Sequence, residues 1–352
     1  MGLQEAVLRS QQKAKDAGAQ FLYETKAVRL VHNDDNTEVT GVICEAADGT
    51  YIEIDADAVV LACGDIGANT QMYNAICAEN YALGEYKDCS AMSGRDGSGI
   101  AMAMRIGTGG DMGSHAAFPM SPMEGAETIW LNKYGKRFCN EAFGSPFVAG
   151  VQAARQPIDA ELYQIWDEGH WRELAQNQAL GHFNASDITD AKMDEYTSKL
   201  EEAKAAGAEG ANGVFCADDL ETLASYLGLE GTAAENFVES VERYSQYAEA
   251  GKDEDYAKPA DMMWPINEGP FYGEKWTRDA NLVLVTLAGL NVDGDQAVLD
   301  QHFEPIPGLF ATGNCSGGRF PLQYTAPING ISIGFATVLG AILGEHLADL
   351  AE

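Results

Sequence analysis

The segment 308–340 contains a group of residues suited to binding an anion or the carbonyl of a ring. The apolar run Leu309–Ala311 predicts a short buried strand that ends at Thr312-Gly313-Asn314, and a glycine-rich loop follows it. A long helix of small residues is predicted from about Ile331. A strand, a loop and a helix N-terminus in this order bring several backbone N–H groups to one point, which suits a negatively charged ligand. An ordinary turn between a strand and a helix explains the composition equally well.

Several segments resemble the fumarate reductase/succinate dehydrogenase flavoprotein superfamily, and they occur in that family's order. GLFATGN followed by NGISIGFA resembles its C-terminal flavin-binding segment, above all in the soluble branch of flavocytochrome c, urocanate reductase and ketosteroid dehydrogenase. Other similar segments are VVLACGDIGAN (59–69), DGSGIAMAMRIG (96–107), NKYGKRFCNE (132–141), the run 244–258 and GPFYGEKW (269–276). The resemblance implies FAD as the cofactor and an FAD-dependent oxidoreductase that acts on CH–CH groups.

The resemblance implies a doubly wound α/β FAD-binding domain of the Rossmann-like, glutathione-reductase type, interrupted by an α+β cap domain. Residues 1–79 and 273–352 are assigned to the FAD-binding domain, and residues 80–272 are assigned to the substrate cap. The family's first βαβ unit carries a G-x-G-x-x-G loop that cradles the pyrophosphate. No such motif lies in the first hundred residues. We therefore expect an N-terminally truncated chain whose first unit is absent or supplied by another chain.

The hydrophobic pattern predicts individual elements. Phe21–Val31 is predicted as a strand, and the Asp48-Gly49 turn between two further strands indicates a hairpin. Between about residues 80 and 272 the pattern favours helices with little strand, including an amphipathic helix at Ala160–Leu180. The longest apolar segment, Ile331–Ile342, is predicted to be a buried helix and is too short to cross a bilayer.

Composition and charge narrow the class of protein. The chain has 352 residues, 46% hydrophobic residues and 38 glycines, which fits a globular α/β protein. With 54 acidic and 22 basic residues the net charge is −32, so nucleic acid and anionic membrane surfaces are disfavoured as partners. A halophile-like surface and a preference for cationic partners remain open beside a merely solubilising acidic surface.

The cysteines indicate a reducing environment. The chain has seven cysteines and no CxxC, so no zinc, iron–sulfur or covalent haem site is indicated. The absence of a disulfide framework favours reduced thiols and a cytoplasmic location. The sequence leaves open whether a targeting signal precedes residue 1.

The resemblance assigns cofactor contacts position by position. Val28 corresponds to a backbone contact to adenine, and plain strand packing is an equal alternative there. Asn314 stands where reductases of the family have a glutamate and ketosteroid dehydrogenases have an asparagine. Gly330 lies where the family's backbone meets the pyrimidine edge of the flavin. The full set of predicted FAD contacts is Val28, Ala62, Cys63, Gly64, Gly313, Asn314, Asn329, Gly330 and Ile331.

The charged residues that fumarate reductases use are missing at the corresponding positions. Leu284 and Val285 replace a histidine pair, and Thr325 and Ser145 replace two arginines. A four-carbon dianion needs charge-assisted hydrogen bonds from such groups. The sequence therefore predicts that this protein is not a fumarate reductase.

The spacing of the C-terminal loop is more similar to that of ketosteroid dehydrogenases. It places Tyr324 on the tyrosine that donates a hydrogen bond to the substrate carbonyl, and a phenol can meet enolate charge developing on that oxygen. A packed loop tyrosine is an equal alternative. His115 is the second catalytic candidate, with a structural histidine as the alternative. Arg319 and Thr325 are predicted substrate contacts, although a surface arginine explains Arg319 equally well, and no metal site is predicted.

These observations predict an FAD-dependent ene-reductase or dehydrogenase that acts on a carbon–carbon double bond conjugated to a carbonyl. The expected partners are a small-molecule substrate and either an electron donor or a chain that carries the N-terminal flavin-domain segment. The alternative is an incomplete or non-catalytic flavoprotein fragment that needs such a separate chain.

Overall fold

The computed structural model describes residues 2–35, 37–77, 85–87, 94–108, 110–111, 115–117, 128–142, 156, 161–169, 190–277, 283–320 and 330–351. Within these ranges the helices are α1 Leu3–Asp16, α2 Thr70–Ile76, α3 Ser98–Met104, α4 Asp190–Ala206, α5 Leu220–Tyr226, α6 Thr232–Ala250 and α7 Ile331–Leu350. The strands are β1 Thr25–His32, β2 Val39–Ala46, β3 Tyr51–Asp55, β4 Val59–Leu61, β5 Gly110–Asp111, β6 His115–Ala117, β7 Ile129–Leu131, β8 Glu161–Asp167, β9 Val214–Ala217, β10 Phe271–Thr277, β11 Val283–Thr286, β12 Gly289–Leu290, β13 Ala297–Leu299 and β14 Pro305–Ala311.

The N-terminal strands form an antiparallel sheet in the order β1-β2-β3. The predicted hairpin is confirmed, since β2 pairs with β3 around a turn in which Gly49 has φ +82°. Strand β1 starts at Thr25, later than predicted, and the surface residues Phe21 and Tyr23, which stack on each other, precede it.

A second sheet, in the order β13-β14-β4, lies beside the candidate site. Strands β14 and β4 are parallel, with Leu309 opposite Val59 and Ala311 opposite Leu61. Leu61, Leu309 and Ala311 are almost fully buried in one apolar core that also contains Leu30 of β1. This core fixes the two strand ends side by side, so the loops that follow them lie close together.

A four-stranded antiparallel sheet in the order β7-β8-β10-β9 supports a second apolar core with α5 and α6. The prediction of little strand in this region was wrong, and the helix predicted from Ala160 is instead strand β8 at Glu161–Asp167. Every residue of β8 after Glu161 is buried because the strand lies inside the sheet. Glu161, Gln164 and Asp167 occur at every third position of this strand with apolar residues between them, a spacing that resembles an amphipathic helix.

Helix α7 is exposed among the described residues, so the prediction of a buried helix at this position was wrong. The buried residue of α7 is Leu343, whereas Ile333, Val338 and Ile342 are 48%, 55% and 49% exposed. Its apolar residues occur on all sides, and such a helix ordinarily needs cover on all sides. By length and composition alone α7 is also long and apolar enough to cross a membrane, and one such helix is weak evidence of a membrane span.

A buried ion network joins the β7–β8 region to the segment that follows α6. Arg137 donates to both carboxylate oxygens of Glu141, at 3.1 and 2.9 Å, and of Asp253, at 3.2 and 3.0 Å. Lys258 lies 3.5 Å from Glu141 and donates to the hydroxyl of Tyr244 at 3.1 Å. Arg137 and Lys258 carry two positive charges, and Glu141 and Asp253 carry two negative charges. This balance reduces the free-energy cost of burying the four groups.

Candidate functional site

A cleft of about 300 Å³ lies at the carboxyl ends of β4 and β14, where it meets the first two turns of α7. Its lining consists of small or neutral residues from three segments of the chain: Ala62, Gly64, Thr312, Gly313, Asn314, Ser332, Ile333 and Ala336. Ligands of open α/β sheets bind at the carboxyl ends of parallel strands, so the position is the expected one. The structure thus brings the predicted residues Ala62, Gly64, Gly313 and Asn314 together.

The backbone around the cleft is shaped for close approach of a ligand. Gly64 and Gly313 have φ values of +83° and +61°, which disfavour side chains, and the N–H of Thr312 donates to the carbonyl of Leu61 at 3.0 Å. Gly330 precedes α7 with φ +75° and has no side chain with which to cap the helix. The first-turn N–H groups and the positive end of the helix dipole therefore favour a negatively charged ligand at Ser332 and Ile333.

The middle of α7 is tied to the end of β14 through Gln296. The Thr312 hydroxyl donates to Gln296 Oε1 at 2.7 Å, and Gln296 Nε2 donates to the carbonyl of Leu339 at 2.9 Å. Gln296 is 4% exposed, so this link runs through the protein interior. It holds α7 in register with the end of β14, which keeps one wall of the cleft in place.

A fully buried carboxylate organises the loop at the end of β14. Asp65 accepts from the N–H of Gly67 at 2.8 Å, from Asn314 Nδ2 at 3.0 Å and from Arg95 Nη1 at 3.3 Å. On its other side Asn314 Oδ1 accepts from Arg319 Nη1 at 2.7 Å. Arg319 also donates from Nε to the carbonyl of Ser316 at 2.9 Å.

Asn314 is consequently oriented from both ends of its amide. An asparagine amide has two N–H donors and two acceptor lone pairs, and Asp65 and Arg319 account for one of each. The side chain therefore retains one donor and one lone pair while lining the cleft. These contacts are compatible with the predicted cofactor role of Asn314, and they hold Arg319 within the loop.

Cys63 follows β4 between two residues of the cleft and lies next to Cys315, which follows β14. Their sulfur atoms are 3.9 Å apart, and Cys63 is exposed while Cys315 is buried. The hydrogen bond from Cys315 lowers the pKa of the Cys63 thiol to about 7, outweighing the opposite effect of burial. The same hydrogen bond, followed by burial, raises the pKa of Cys315 above its usual range. The pair therefore consists of one thiolate-forming and one protonated thiol at neutral pH.

Two other predicted cofactor residues lie in different settings. Val28 is in β1, at a bulge between Ala27 and Arg29, and it is not among the residues that line the cleft. Ile331 begins α7 directly beside the lining residue Ser332. The roles of Val28 and Ile331 in binding FAD stay predictions.

His115 lies in the short strand β6, whose partner is β11. Thr286 is opposite His115, and Val285 is opposite Ala116. Leu284 and Val285 are the positions where fumarate reductases carry a histidine pair, so His115 belongs to the strand beside that position. The buried Thr286 hydroxyl has no hydrogen-bond partner among the described residues. The catalytic role of His115 stays a prediction.

The predicted residues Tyr324, Thr325 and Asn329 lie outside the described residues, as does Ser145. Their roles also stay predictions. Sequence reasoning missed Asp65, although an acidic residue directly after an apolar strand and a Cys-Gly turn was a usable signal. It also missed Cys315 and Gln296, whose importance depends on contacts with residues far away in the chain.

The residues of the cleft fit part of an FAD molecule. The described lining residues include no carboxylate, glycines border two sides, and an uncapped helix N-terminus points to the same space. These are the features that suit a phosphate group. A whole dinucleotide is larger than this cleft, and which part of FAD these residues hold stays a prediction.

Three comparisons place the chain among known proteins. Vinyl phenol reductase from Lactiplantibacillus plantarum is 29% identical over 369 residues, which cover 99% of this chain and 72% of that protein. 4-Oxocyclohexanecarboxylate 2-dehydrogenase from Sinomonas cyclohexanicum is 27% identical, with 95% of this chain and 58% of that protein covered. The crystal structure of 3-ketosteroid-delta4-(5alpha)-dehydrogenase from Rhodococcus jostii RHA1 matches with a TM-score of 0.71 and 24% identity, covering 95% and 61% of the two chains. That last match establishes a shared fold.

The family match is broader than any single motif. The FAD binding domain family matches residues 2–332 and therefore includes every predicted cofactor residue. Relatives in the fumarate reductase and urocanate reductase group match over more than nine-tenths of the chain. The family and its relatives confirm the predicted cofactor, FAD, and the flavoprotein fold of mixed helices and sheets. The chain belongs to the FAD binding domain family, within the fumarate reductase/succinate dehydrogenase flavoprotein superfamily.

Proposed function

We propose that the protein is an FAD-dependent oxidoreductase that reduces or introduces a carbon–carbon double bond conjugated to a carbonyl. The observation that carries the proposal is the cleft between β4, β14 and α7, in a chain that matches the FAD binding domain family over residues 2–332. The names of two relatives, vinyl phenol reductase and 4-oxocyclohexanecarboxylate 2-dehydrogenase, support a reaction at a carbon–carbon double bond. This chain covers 58% of the length of the dehydrogenase, and the activity is therefore stated as a proposal.

FAD supplies hydride transfer, and the residues of this chain bind and orient it. The glycine turns at Gly64 and Gly313 allow the backbone to approach phosphate, and the first turn of α7 provides N–H donors. Asn314, held by Asp65 and Arg319, would offer its remaining N–H to an oxygen of the cofactor. Substrate binds on the side of β11, where His115 and Thr286 are opposite each other.

Tyr324 polarises the substrate carbonyl in this proposal. Hydride transfer at the carbon β to a carbonyl builds negative charge on the carbonyl oxygen, and a phenol can donate a hydrogen bond to it. Residues 80–272 are proposed to act as the cap that excludes water. The part built on the sheet β7-β8-β10-β9 has an apolar core of its own, whereas Tyr86, Ile100, Met102 and Ala103 pack in the core of β4 and β14. Strand β10 belongs to the sheet β7-β8-β10-β9 of the proposed cap, and it continues past the predicted boundary at residue 272 as far as Thr277.

The proposal is tested by flavin reoxidation under anaerobic conditions. The FAD-loaded protein is reduced chemically and then mixed with a cyclic enone, with 4-vinylphenol, with fumarate or with an unconjugated alkene. Rapid reoxidation by the enone, with little or none by the alkene, supports the proposal. Reoxidation by vinylphenol without the enone would instead mean that conjugation to an aromatic ring defines the substrate.

Fumarate is proposed to be a poor substrate. The corresponding charged positions hold Leu284, Val285, Thr325 and Ser145, and one lost charged hydrogen bond costs about 1.5–3 kcal/mol. Several are missing together, so turnover of fumarate at about 10 per second, typical of enzymes, would contradict this part of the proposal.

A second proposal concerns retention of the cofactor. A polypeptide of residues 1–352 is proposed to bind FAD weakly, because its first hundred residues contain no G-x-G-x-x-G motif for the pyrophosphate. The measurement is FAD content after purification, with and without a co-expressed strand–G-x-G-x-x-G–helix segment. Stoichiometric FAD without that segment would overturn it.

A further inference from the structure

Cys63 and Cys315 are 252 positions apart in the sequence, and their sulfur atoms are 3.9 Å apart. Both follow the ends of neighbouring parallel strands, because Leu61 pairs with Ala311 and the N–H of Thr312 donates to Leu61. The two thiols therefore belong to one rigid structural unit. A disulfide bond requires about 2.05 Å between the sulfurs, so the pair must close by a little less than 2 Å.

The partner cysteine is held in place and the exposed cysteine has room. Cys315 Sγ accepts from the backbone N–H of Cys63 at 3.1 Å and lies 3.1 Å from the carbonyl oxygen of Gly64. Cys63 Sγ packs directly over the backbone of Gly99, where a Cβ would collide with the sulfur. Glycine at position 99 thus leaves the space that Cys63 occupies next to Cys315.

The single S–H proton of Cys315 has two acceptors. It can be donated to the carbonyl of Gly64 or to the sulfur of Cys63. A thiolate is the stronger acceptor, so ionisation of Cys63 draws this proton toward Cys63. The lowered pKa of Cys63, about 7, reflects that hydrogen bond, and Cys315 keeps its proton. An exposed thiolate beside a buried thiol is the arrangement typical of an attacking and a resolving cysteine.

We propose that Cys63 and Cys315 form a peroxide-reactive dithiol site, in which Cys63 is oxidised first and Cys315 closes a reversible disulfide at the edge of the cleft. No other described pair of cysteines has its sulfurs recorded in contact. Cys63 is exposed and within reach of a small oxidant, while Cys44, Cys77, Cys139 and Cys216 are buried.

The oxidant is a hydroperoxide, and the reaction has two steps. The Cys63 thiolate attacks the distal peroxide oxygen, the O–O bond breaks, and Cys63 becomes a sulfenic acid while the alkoxide or hydroxide leaves and takes a proton from water. Cys315 sulfur then attacks the Cys63 sulfur, and the sulfenic hydroxyl leaves with the Cys315 proton as water. Two thiols lose two electrons and two protons, and the hydroperoxide is reduced to an alcohol or water. A small dithiol reverses the linkage by exchange.

The first experiment uses the unaltered protein. The purified chain is treated with one equivalent of hydrogen peroxide, blocked with iodoacetamide and digested after acidic residues and then with trypsin. Cleavage after Asp57 and Asp65 gives the peptide 58–65, in which Cys63 is the one cysteine. We expect this peptide to be linked to the peptide that contains Cys315, and dithiothreitol to release both. A linkage of Cys63 to any other cysteine, or to a second chain, would overturn the proposal.

Variants separate the two roles. In Cys315→Ser the sulfenic acid of Cys63 has no resolving thiol, so we expect a dimedone adduct at Cys63 to accumulate at least tenfold over the unaltered protein. Cys63→Ser should abolish both the adduct and the linkage. Cys216→Ser is the matched control, because Cys216 is a buried cysteine whose pKa is raised by burial. Equal dimedone labelling of Cys63 in the unaltered protein and in Cys315→Ser at pH 9.5, where the Cys63 thiol is largely ionised with or without the hydrogen bond from Cys315, would show that Cys315 does not resolve it.

Discussion

The side-chain amide of Asn314 donates from Nδ2 to the buried carboxylate of Asp65 at 3.0 Å, across 249 positions of sequence. Asp65 is fully buried and follows β4, and Asn314 follows β14. The contact therefore joins the two loops that border the cleft. Because Arg319 donates to the other end of the same amide, the orientation of Asn314 is set before any ligand binds.

Replacing Asn314 by aspartate keeps the shape of the side chain and removes the donor to Asp65. The change also places a second carboxylate beside a buried one, so we expect a loss of about 1.5–3 kcal/mol in the free energy of unfolding. Urea unfolding measures it. Asn212→Asp is the matched control, because Asn212 donates to Glu202 at 2.9 Å on the surface. The free energy of unfolding of Asn212→Asp should fall by no more than about 0.5 kcal/mol. Equal losses in the two variants would contradict a special role for the buried contact between Asn314 and Asp65.

Asp253→Asn tests the buried ion network. The change leaves the charges of Arg137 and Lys258 opposed by Glu141 alone, and breaking a buried pair costs about 3–5 kcal/mol. Asp255→Asn is the control, because Asp255 pairs with Arg243 at the surface and such pairs contribute about 0–1 kcal/mol. Thermal and urea unfolding compare the two variants. A cost for Asp253→Asn below that of Asp255→Asn would mean that the network adds no stability.

Cys63 should react with iodoacetamide at lower pH than an ordinary thiol. The pKa is lowered from 9.0 to about 7, so the thiolate, which is the reactive form, appears as pH rises through 7. At pH 7 the thiolate fraction rises about 50-fold, and the weaker nucleophilicity of a low-pKa thiolate reduces the net rate gain to about fivefold. Peptide mass spectrometry follows the rate at Cys63 between pH 5.5 and 9.5. A midpoint near pH 9 would contradict the hydrogen bond from Cys315.

Bound FAD should protect Cys63 from alkylation. Cys63 lies between the cleft residues Ala62 and Gly64, so a ligand in the cleft restricts access to its sulfur. At an FAD concentration of about ten times Kd, the free protein falls to about one-eleventh, and labelling should slow to a similar extent. Riboflavin, which has no phosphate, is the control ligand. Unchanged labelling at saturating FAD would place the cofactor away from this cleft.

Tyr324→Phe tests the proposed carbonyl donor. Loss of one oxyanion donor typically costs about 2.7–4 kcal/mol, or roughly 100- to 1,000-fold in turnover. FAD content and fold should be unchanged, because one hydroxyl is removed from the ring. The measurement is steady-state turnover of an enone at matched flavin content. A change below about threefold, which is under 1 kcal/mol, would assign the carbonyl contact to another residue, with His115 the next to test.

The amino-acid sequence determined the family, the cofactor and the local elements with clear patterns. The β2–β3 hairpin follows from Asp48-Gly49, where a turn needs a residue with positive φ, and α6 follows from apolar residues at helical spacing. The strand end at Ala311 and the glycine turn after it were also readable, because a short apolar run bounded by glycine is a local signal. These features depend on neighbours in the chain.

The tertiary structure decided what depends on distant neighbours. Strand β8 looks like a helix in the sequence because its polar residues Glu161, Gln164 and Asp167 are three positions apart. Gln164 and Asp167 are nevertheless buried, because residues from elsewhere in the chain cover the strand. The exposure of α7 likewise depends on what packs against it, and its own composition carries no such information. Asp65 meets Asn314, and Cys63 meets Cys315, because two parallel strands end side by side. That pairing creates the site, and its register is set by the packing of the whole core.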